Sequence, residues 1–244
     1  MQFLFFRFLT LTTILSQVVA QSLHIGVTRD LKDKDKKLIP PTGRMSYSAA
    51  IQLETPVSTD HVTDDHLIWL ARKGYEEMES EYKRGLGKPG GYTAKDTRQP
   101  IAMAVLAPAK GSEIFLASSV EGFTFNKMPF SDLYRALDLL KALEECGATS
   151  HPTAGKCAEI NVLDLFFSQQ ENNRERLKGS KIVVWGKPTP DCTFPRILPP
   201  CLRGLGACSK FLGKFSVTSI TMEPTGWVFE VSSIRKLPSE GASS

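Results

Sequence analysis

Four residues have the types and spacing for hydrolytic chemistry: Cys157, Glu159, Cys201 and Cys208. The first two stand in Gly155-Lys156-Cys157-Ala158-Glu159-Ile160-Asn161, and the others follow in Pro199-Pro200-Cys201 and at Cys208. Three thiolates can hold Zn²⁺ tetrahedrally and leave one position open for a water, which the metal activates. A glutamate that is not itself a ligand can then carry protons from that water to a departing ammonia. The chemistry this set could do is hydrolytic displacement of an amino group.

The elements that must position these residues can be read from the surrounding pattern. A loop with Pro152 and Gly155 precedes an apolar run, Ile160, Val162, Leu163, Leu165, Phe166 and Phe167. This predicts a buried helix whose first turn carries Cys157 and Glu159. A helix N-terminus stabilises a thiolate through its dipole and free N–H groups, and the glutamate is expected at the mouth of the site. Lys181–Gly186 predicts a short central strand. A proline-rich loop, 187–200, contains Cys192 and delivers Cys201. Cys208 falls on a further helix, and the stretch between Cys201 and Cys208 contains Gly204 and Gly206, which permit a bulge. Cys192 is the alternative third ligand.

The five cysteines, at 146, 157, 192, 201 and 208, bear on compartment as well. Residues 1–20 have one early charge, Arg7, then a short apolar run, with Val18 and Ala20 suited to a signal peptidase. The run is shorter than the ~20 apolar residues that cross a bilayer, so it predicts a secretory signal peptide, a secreted chain and no membrane segment after cleavage. Disulfides are the default for secreted cysteines, but five is odd. Three zinc ligands and a Cys146–Cys192 disulfide use all five. The alternative is a non-catalytic binding protein stapled by disulfides, with Cys201 and Cys208 paired. A structural zinc site would need a fourth ligand, for which His151 is the nearby candidate.

Residues 21–60 predict an N-terminal extension with little regular structure, 61–235 the main domain, and 236–244 a disordered tail. In the domain, small polar and acidic residues at 62–65 predict a helix start, with Leu67, Ala71, Tyr75, Met78 and Tyr82 on one face and a stop by Gly85. His66 is expected to be a surface or capping residue. Residues 100–108 and 113–119 predict a hairpin. A leucine stripe, Leu133, Leu137, Leu140 and Leu143, predicts a core-packing helix from Ser131 to near Gly147. Stretches 215–222 and 226–232 predict a C-terminal antiparallel strand pair. Trp69, Trp185 and Trp227 are expected in core packing. A net charge of +4 is too weak to argue nucleic-acid binding by itself.

These residues and this element order resemble the cytidine-deaminase-like superfamily, in particular the toxin-type YwqJ-like deaminases, which also occur in secreted fungal proteins. The resemblance covers roughly residues 62–233 by element order and a handful of positions by motif. It implies an α/β, three-layer α/β/α fold with a mixed sheet of about five strands. It also implies a Zn²⁺ site at Cys157, Cys201 and Cys208, Glu159 as general acid/base, and a nucleoside or single-stranded nucleic acid as substrate. The chain departs from the family in the longer spacing between its last two cysteines.

Overall fold

The structure, a computed structural model, describes residues 24–29, 45–53, 62–88, 98–121, 134, 136–145, 156–169, 174–188, 192–199 and 207–221, with the side chains of 207–210 excepted. In chain order these form β1 (Thr28–Arg29), β2 (Tyr47–Gln52), α1 (Asp64–Gly85), β3 (Ala102–Ala107), β4 (Glu113–Ser118), α2 (Leu137–Glu145), α3 (Ala158–Gln169), β5 (Lys181–Gly186), β6 (Arg196–Ile197), α4 (Ala207–Lys214) and β7 (Thr218–Ile220). The chain is α/β with a mixed sheet. Seven strands among the described residues pair in the order β1-β2-β4-β3-β5-β6, and β7 pairs with β5.

Period-two alternation sorts the sheet residues between two cores. Met103, Val105, Ile114, Leu116 and Val183 pack with Leu67, Ile68, Ala71, Tyr75 and Met78 of α1. Ala102, Ala104, Leu106, Phe115, Ile182 and Val184 pack with α2, α3 and α4 on the other face. The sheet is thus covered on both faces, which is why β3 is buried along its whole length.

α1 begins and ends where its sequence dictates. Thr63 is the N-cap and forms a capping box with His66, whose Nδ1 accepts the Thr63 N–H at 3.1 Å. His66 is therefore a capping residue. Lys83 and Arg84 complement the negative end of the dipole in the last turn. Trp69 and Trp185 are half-buried against the α1-side core, and Trp227 lies outside the described residues.

Three expectations need correction. The segment expected to have little regular structure supplies a full strand: β2 pairs antiparallel with β4 from Ser48↔Ala117 to Gln52↔Glu113. Its Tyr47 and Ile51 are buried among the α1-side residues, so burial of one face recruits the segment into the sheet. The helix expected from Ser131 begins at Leu137, its first bond running from Leu140 N–H to the Ala136 carbonyl. The buried face of that helix is Leu139, Ala142 and Leu143, with Leu140 half-buried against the same core; of the expected stripe, Leu137 in the first turn is 77% exposed, and Leu133 lies outside the described residues. β7 (Thr218–Ile220) falls within the expected strand 215–222 and pairs in parallel with β5, from Lys181↔Thr218 to Val183↔Ile220. The second strand of the expected C-terminal pair, 226–232, lies outside the described residues, as do the signal segment 1–20 and the tail 236–244. No helix among the described residues is long and apolar enough to cross a membrane.

Candidate functional site

α3 is buried almost all round, from Ala158 to Phe167, with only Leu165 half-exposed. A helix of that kind belongs inside a fold, and polar groups on it need an explanation. It carries three: Glu159 (4% exposed), Asn161 and Asp164. Cys157 stands at the N-cap, half-buried, its carbonyl accepting the Asn161 N–H at 3.2 Å. Glu159 is two residues further on, buried and not at the mouth of the site as expected, on the first turn of a helix packed against β3 and β4.

The start of α3 is tied directly to the end of β4. Asn161 Nδ2 donates to the Ser118 carbonyl at 2.9 Å. Beyond Ser118 the β2–β4 register slips by one residue: continued, it would bring Met45 opposite Val120, but Met45 pairs with Glu121 instead. This is a β-bulge, the kind of local irregularity that re-aims backbone at strand ends. It turns the Val120 N–H to the Lys156 carbonyl, 3.0 Å away. The residue before Cys157 is therefore pinned to the sheet by a backbone bond.

Charges collect at the same place. Burial pushes the Glu121 carboxyl above the usual carboxylate range, with the positive charges of Arg98 and Lys156 opposing. Burial pushes the Lys156 amine down, with Glu121 opposing.

The second cysteine-bearing helix packs beside the first. α3 begins beside the finish of β4 and leads back to the start of β5, so it runs against both strands. The C-terminal end of α4 also lies at the start of β5: Val217 N–H bonds the Leu212 carbonyl, and Thr218 N–H bonds that of Ser180. A chain of ring contacts holds the two helices together, Phe166–Phe167 at 5.4 Å, Phe167–Phe215 at 5.5 Å and Phe211–Phe215 at 5.3 Å. β6, which feeds α4, pairs with Trp185 and Gly186 at the finish of β5. The N-terminus of α3 therefore turns toward the end of the sheet where β4 and β5 finish, and α4 packs its C-terminal end beside the C-terminal end of α3. Cys208 is the second residue of α4.

The structure thus places Cys157 and Glu159 at the start of one buried helix, and Cys208 on α4. Cys201 and the Cys208 side chain lie outside the described residues, as do Cys146, the expected disulfide partner of Cys192, and His151. Cys192 is half-buried in the loop between β5 and β6. Among the described residues no group of three His, Cys, Asp or Glu forms a metal-holding cluster. Sequence reasoning missed Glu121, Lys156, Asn161 and the bulge. Asn161 could have been found as the polar residue inside an apolar run; the bulge has no local signal. No family model, no curated protein and no solved structure matches the chain.

Proposed function

We propose that this protein is a secreted, zinc-dependent deaminase that removes ammonia hydrolytically from a nucleobase, on a three-layer fold of the cytidine-deaminase-like kind. One observation carries the reading: a cysteine caps a buried helix that begins at the finish of β4, and a buried glutamate follows two residues later. With β1, β2, α2 and the short β6 set aside, the order of helix, hairpin, cysteine-glutamate helix, strand, helix and strand supports it.

The described part of the donor set suits the metal. An N-cap cysteine, half-buried at a helix N-terminus, is disposed to ionise and so to ligate. Zinc would be held by Cys157, Cys201 and Cys208, with Cys192 the alternative to Cys208. When bound, it supplies a water of near-neutral pKa in its open position. Glu159 would do the proton work, taking a proton from the attacking water and delivering it to the leaving amine. Its burial keeps bulk water from competing for the same proton. Asn161 and the Val120–Lys156 bond fix the helix start, and with it the spacing between Cys157 and Glu159.

The test is zinc content and ammonia release from nucleosides and single-stranded oligonucleotides, for the wild-type chain and Glu159→Gln. About one zinc per chain in both proteins is expected, with turnover lost in the variant. Unchanged turnover in Glu159→Gln, or a wild-type chain without zinc, would refute the assignment.

A further inference from the structure

We propose that Ser118 and Ser119 are positioning residues for the start of α3: at the bulge their hydroxyls stand in for their own carbonyls, and the Ser118 carbonyl so released holds Asn161. This rests on the reading of Cys157 and Glu159 as the reacting site. Both serines are buried, at 0% and 7% exposure, and neither belongs to the ligand set.

The regular ladder stops here on both sides of β4. Its last pairs are Ser48↔Ala117 with β2 and Met103↔Ser118 with β3. One step further, Tyr47 would face Ser118 and Ala102 would face Ser119. The Leu53 N–H on the Ser112 carbonyl marks every second residue of β2, Tyr47 included, as one that bonds to β4. The Ser119 N–H on the Ala102 carbonyl does the same for Ala102. Regular pairing would therefore send the Tyr47 N–H to the Ser118 carbonyl and the Ala102 N–H to the Ser119 carbonyl. Both go to hydroxyls instead. The Tyr47 N–H donates to Ser118 Oγ at 2.9 Å, and the Ala102 and Ile101 N–H groups donate to Ser119 Oγ at 3.3 and 3.0 Å.

The substitution leaves two carbonyls for other partners. Ser118 Oγ, having accepted the Tyr47 N–H, donates its own proton to the Ser119 carbonyl at 2.8 Å. The Ser118 carbonyl accepts Asn161 Nδ2 at 2.9 Å. A hydroxyl has one proton and two lone pairs, so a serine can accept and donate at once in this way; alanine cannot. Two residues on, the Val120 N–H takes the Lys156 carbonyl. Residues 118 and 120 thereby hold α3 on either side of Cys157. Without the Ser118 hydroxyl, the buried Tyr47 N–H must turn to the carbonyl that Asn161 holds, because a buried donor left unpaired is costly. That draws Ser118 back toward regular pairing and away from α3. The Ser118 hydroxyl thus acts on Cys157 and Glu159 through Asn161.

The test compares Ser118→Ala, Asn161→Ala, their double variant and Ser118→Thr in the secreted chain. The readouts are zinc affinity, in competition with a chromogenic chelator, and residue-resolved amide exchange. Ser118→Ala and Asn161→Ala are each expected to weaken zinc binding roughly tenfold, as for groups that orient metal ligands from behind. Each should also speed exchange of the Val120 and Asn161 amides roughly tenfold, while amides in the middle of β3 and β5 keep the wild-type rate. Because Ser118 acts through Asn161, the double variant should lose no more than the larger single loss. Ser118→Thr keeps a hydroxyl and should keep the wild-type values. Ser119→Ala lets the Ala102 N–H reclaim the Ser119 carbonyl from the Ser118 hydroxyl, and should speed the Val120 amide likewise. Wild-type zinc affinity and exchange in Ser118→Ala, fully additive losses in the double variant, or faster exchange throughout the sheet overturns the inference. A wild-type chain that takes up no zinc removes the deaminase reading instead, and the Val120 and Asn161 exchange rates in Ser118→Ala then support or overturn the positioning by themselves.

Discussion

Gly186 closes β5 at the point where the chain leaves for the loop that carries Cys192 and leads to Cys201, and no other residue fits there. A methyl group at this position would stand 2.3 Å from the Ile101 carbonyl oxygen, 2.6 Å from Ala102 Cα and 2.8 Å from Ala102 Cβ. Two of those three atoms are backbone, held by the Lys187 N–H on the Ile101 carbonyl at 2.8 Å and the Ser119 N–H on the Ala102 carbonyl at 2.8 Å. Ordinary carbon contacts lie near 3.5–4.0 Å, so Gly186→Ala must push β3 and β5 apart by about 1 Å. Overpacking of this kind costs about 1–3 kcal/mol, and a weakened strand-end hydrogen bond adds about 1 kcal/mol. A total near 3 kcal/mol is a large part of a typical 5–15 kcal/mol stability. With a urea slope of about 2 kcal/mol/M, the unfolding midpoint should fall by about 1.5 M, read by fluorescence of the half-buried Trp69 and Trp185. Gly213→Ala is the matched control. Gly213 lies in the last turn of α4 with nothing within 4 Å of an added Cβ, and alanine in a helix gains about 0.5–1 kcal/mol over glycine. Its midpoint should rise by a few tenths of a molar. If Gly186→Ala unfolds at the wild-type midpoint, the close approach of β3 to β5 is wrong, and so is the anchoring of the loop.

Two further outcomes follow from α1. The Glu77 carboxylate accepts the N–H groups of Ile25, Gly26 and Val27 at 2.5, 2.9 and 3.1 Å, so Glu77→Ala should cost about 2 kcal/mol and speed amide exchange at 25–27; protected amides there would refute the clasp. At Glu76, burial opposes ionisation, but hydrogen bonds from Lys73 and Arg72, and their charges, outweigh it and hold the carboxyl below its ordinary value. A depressed carboxylate contributes stability that is present above its unfolded value, roughly pH 4.3, and is lost as pH falls through the folded one. The side chain is 43% exposed, so Glu76→Gln should cost no more than about 0.5 kcal/mol at pH 7 and nothing near pH 3; equal costs at both, by urea unfolding, would contradict the pairing.

The parts legible in the sequence are those whose causes are local. Thr63, the acidic first turn and the apolar spacing of Leu67 to Tyr82 define α1 almost to the residue. The strand at 181–186 and the hairpin around Gly111 were equally plain, because apolar runs between turn residues have few alternatives. Cys157 and Glu159 could be placed at a helix start because a Pro- and Gly-bearing loop meets an apolar run there. What escaped was non-local. β2 is a short, weakly alternating stretch whose partner, β4, lies far along the chain, and only the shared buried face reveals it. The parallel partner of β7 likewise depends on where α4 delivers the chain. The depth of Glu159 depends on what covers α3, which no local pattern states.

The β-bulge explains how the site can tolerate the long connection between β4 and α3. Residues 122–155 separate Glu121 from Lys156, and they include α2. Were the start of α3 placed only through that connection, any change in its length would move Cys157 and Glu159 relative to the sheet. Instead the Val120 N–H holds the Lys156 carbonyl and Asn161 holds the Ser118 carbonyl, so both sides of Cys157 are fixed to β4 directly. The closing of the intervening loop costs entropy that grows only slowly with its length, and the two bonds set the geometry at its ends. The positions of Cys157 and Glu159 are then set by bonds between β4 and α3, at both ends of the first turn.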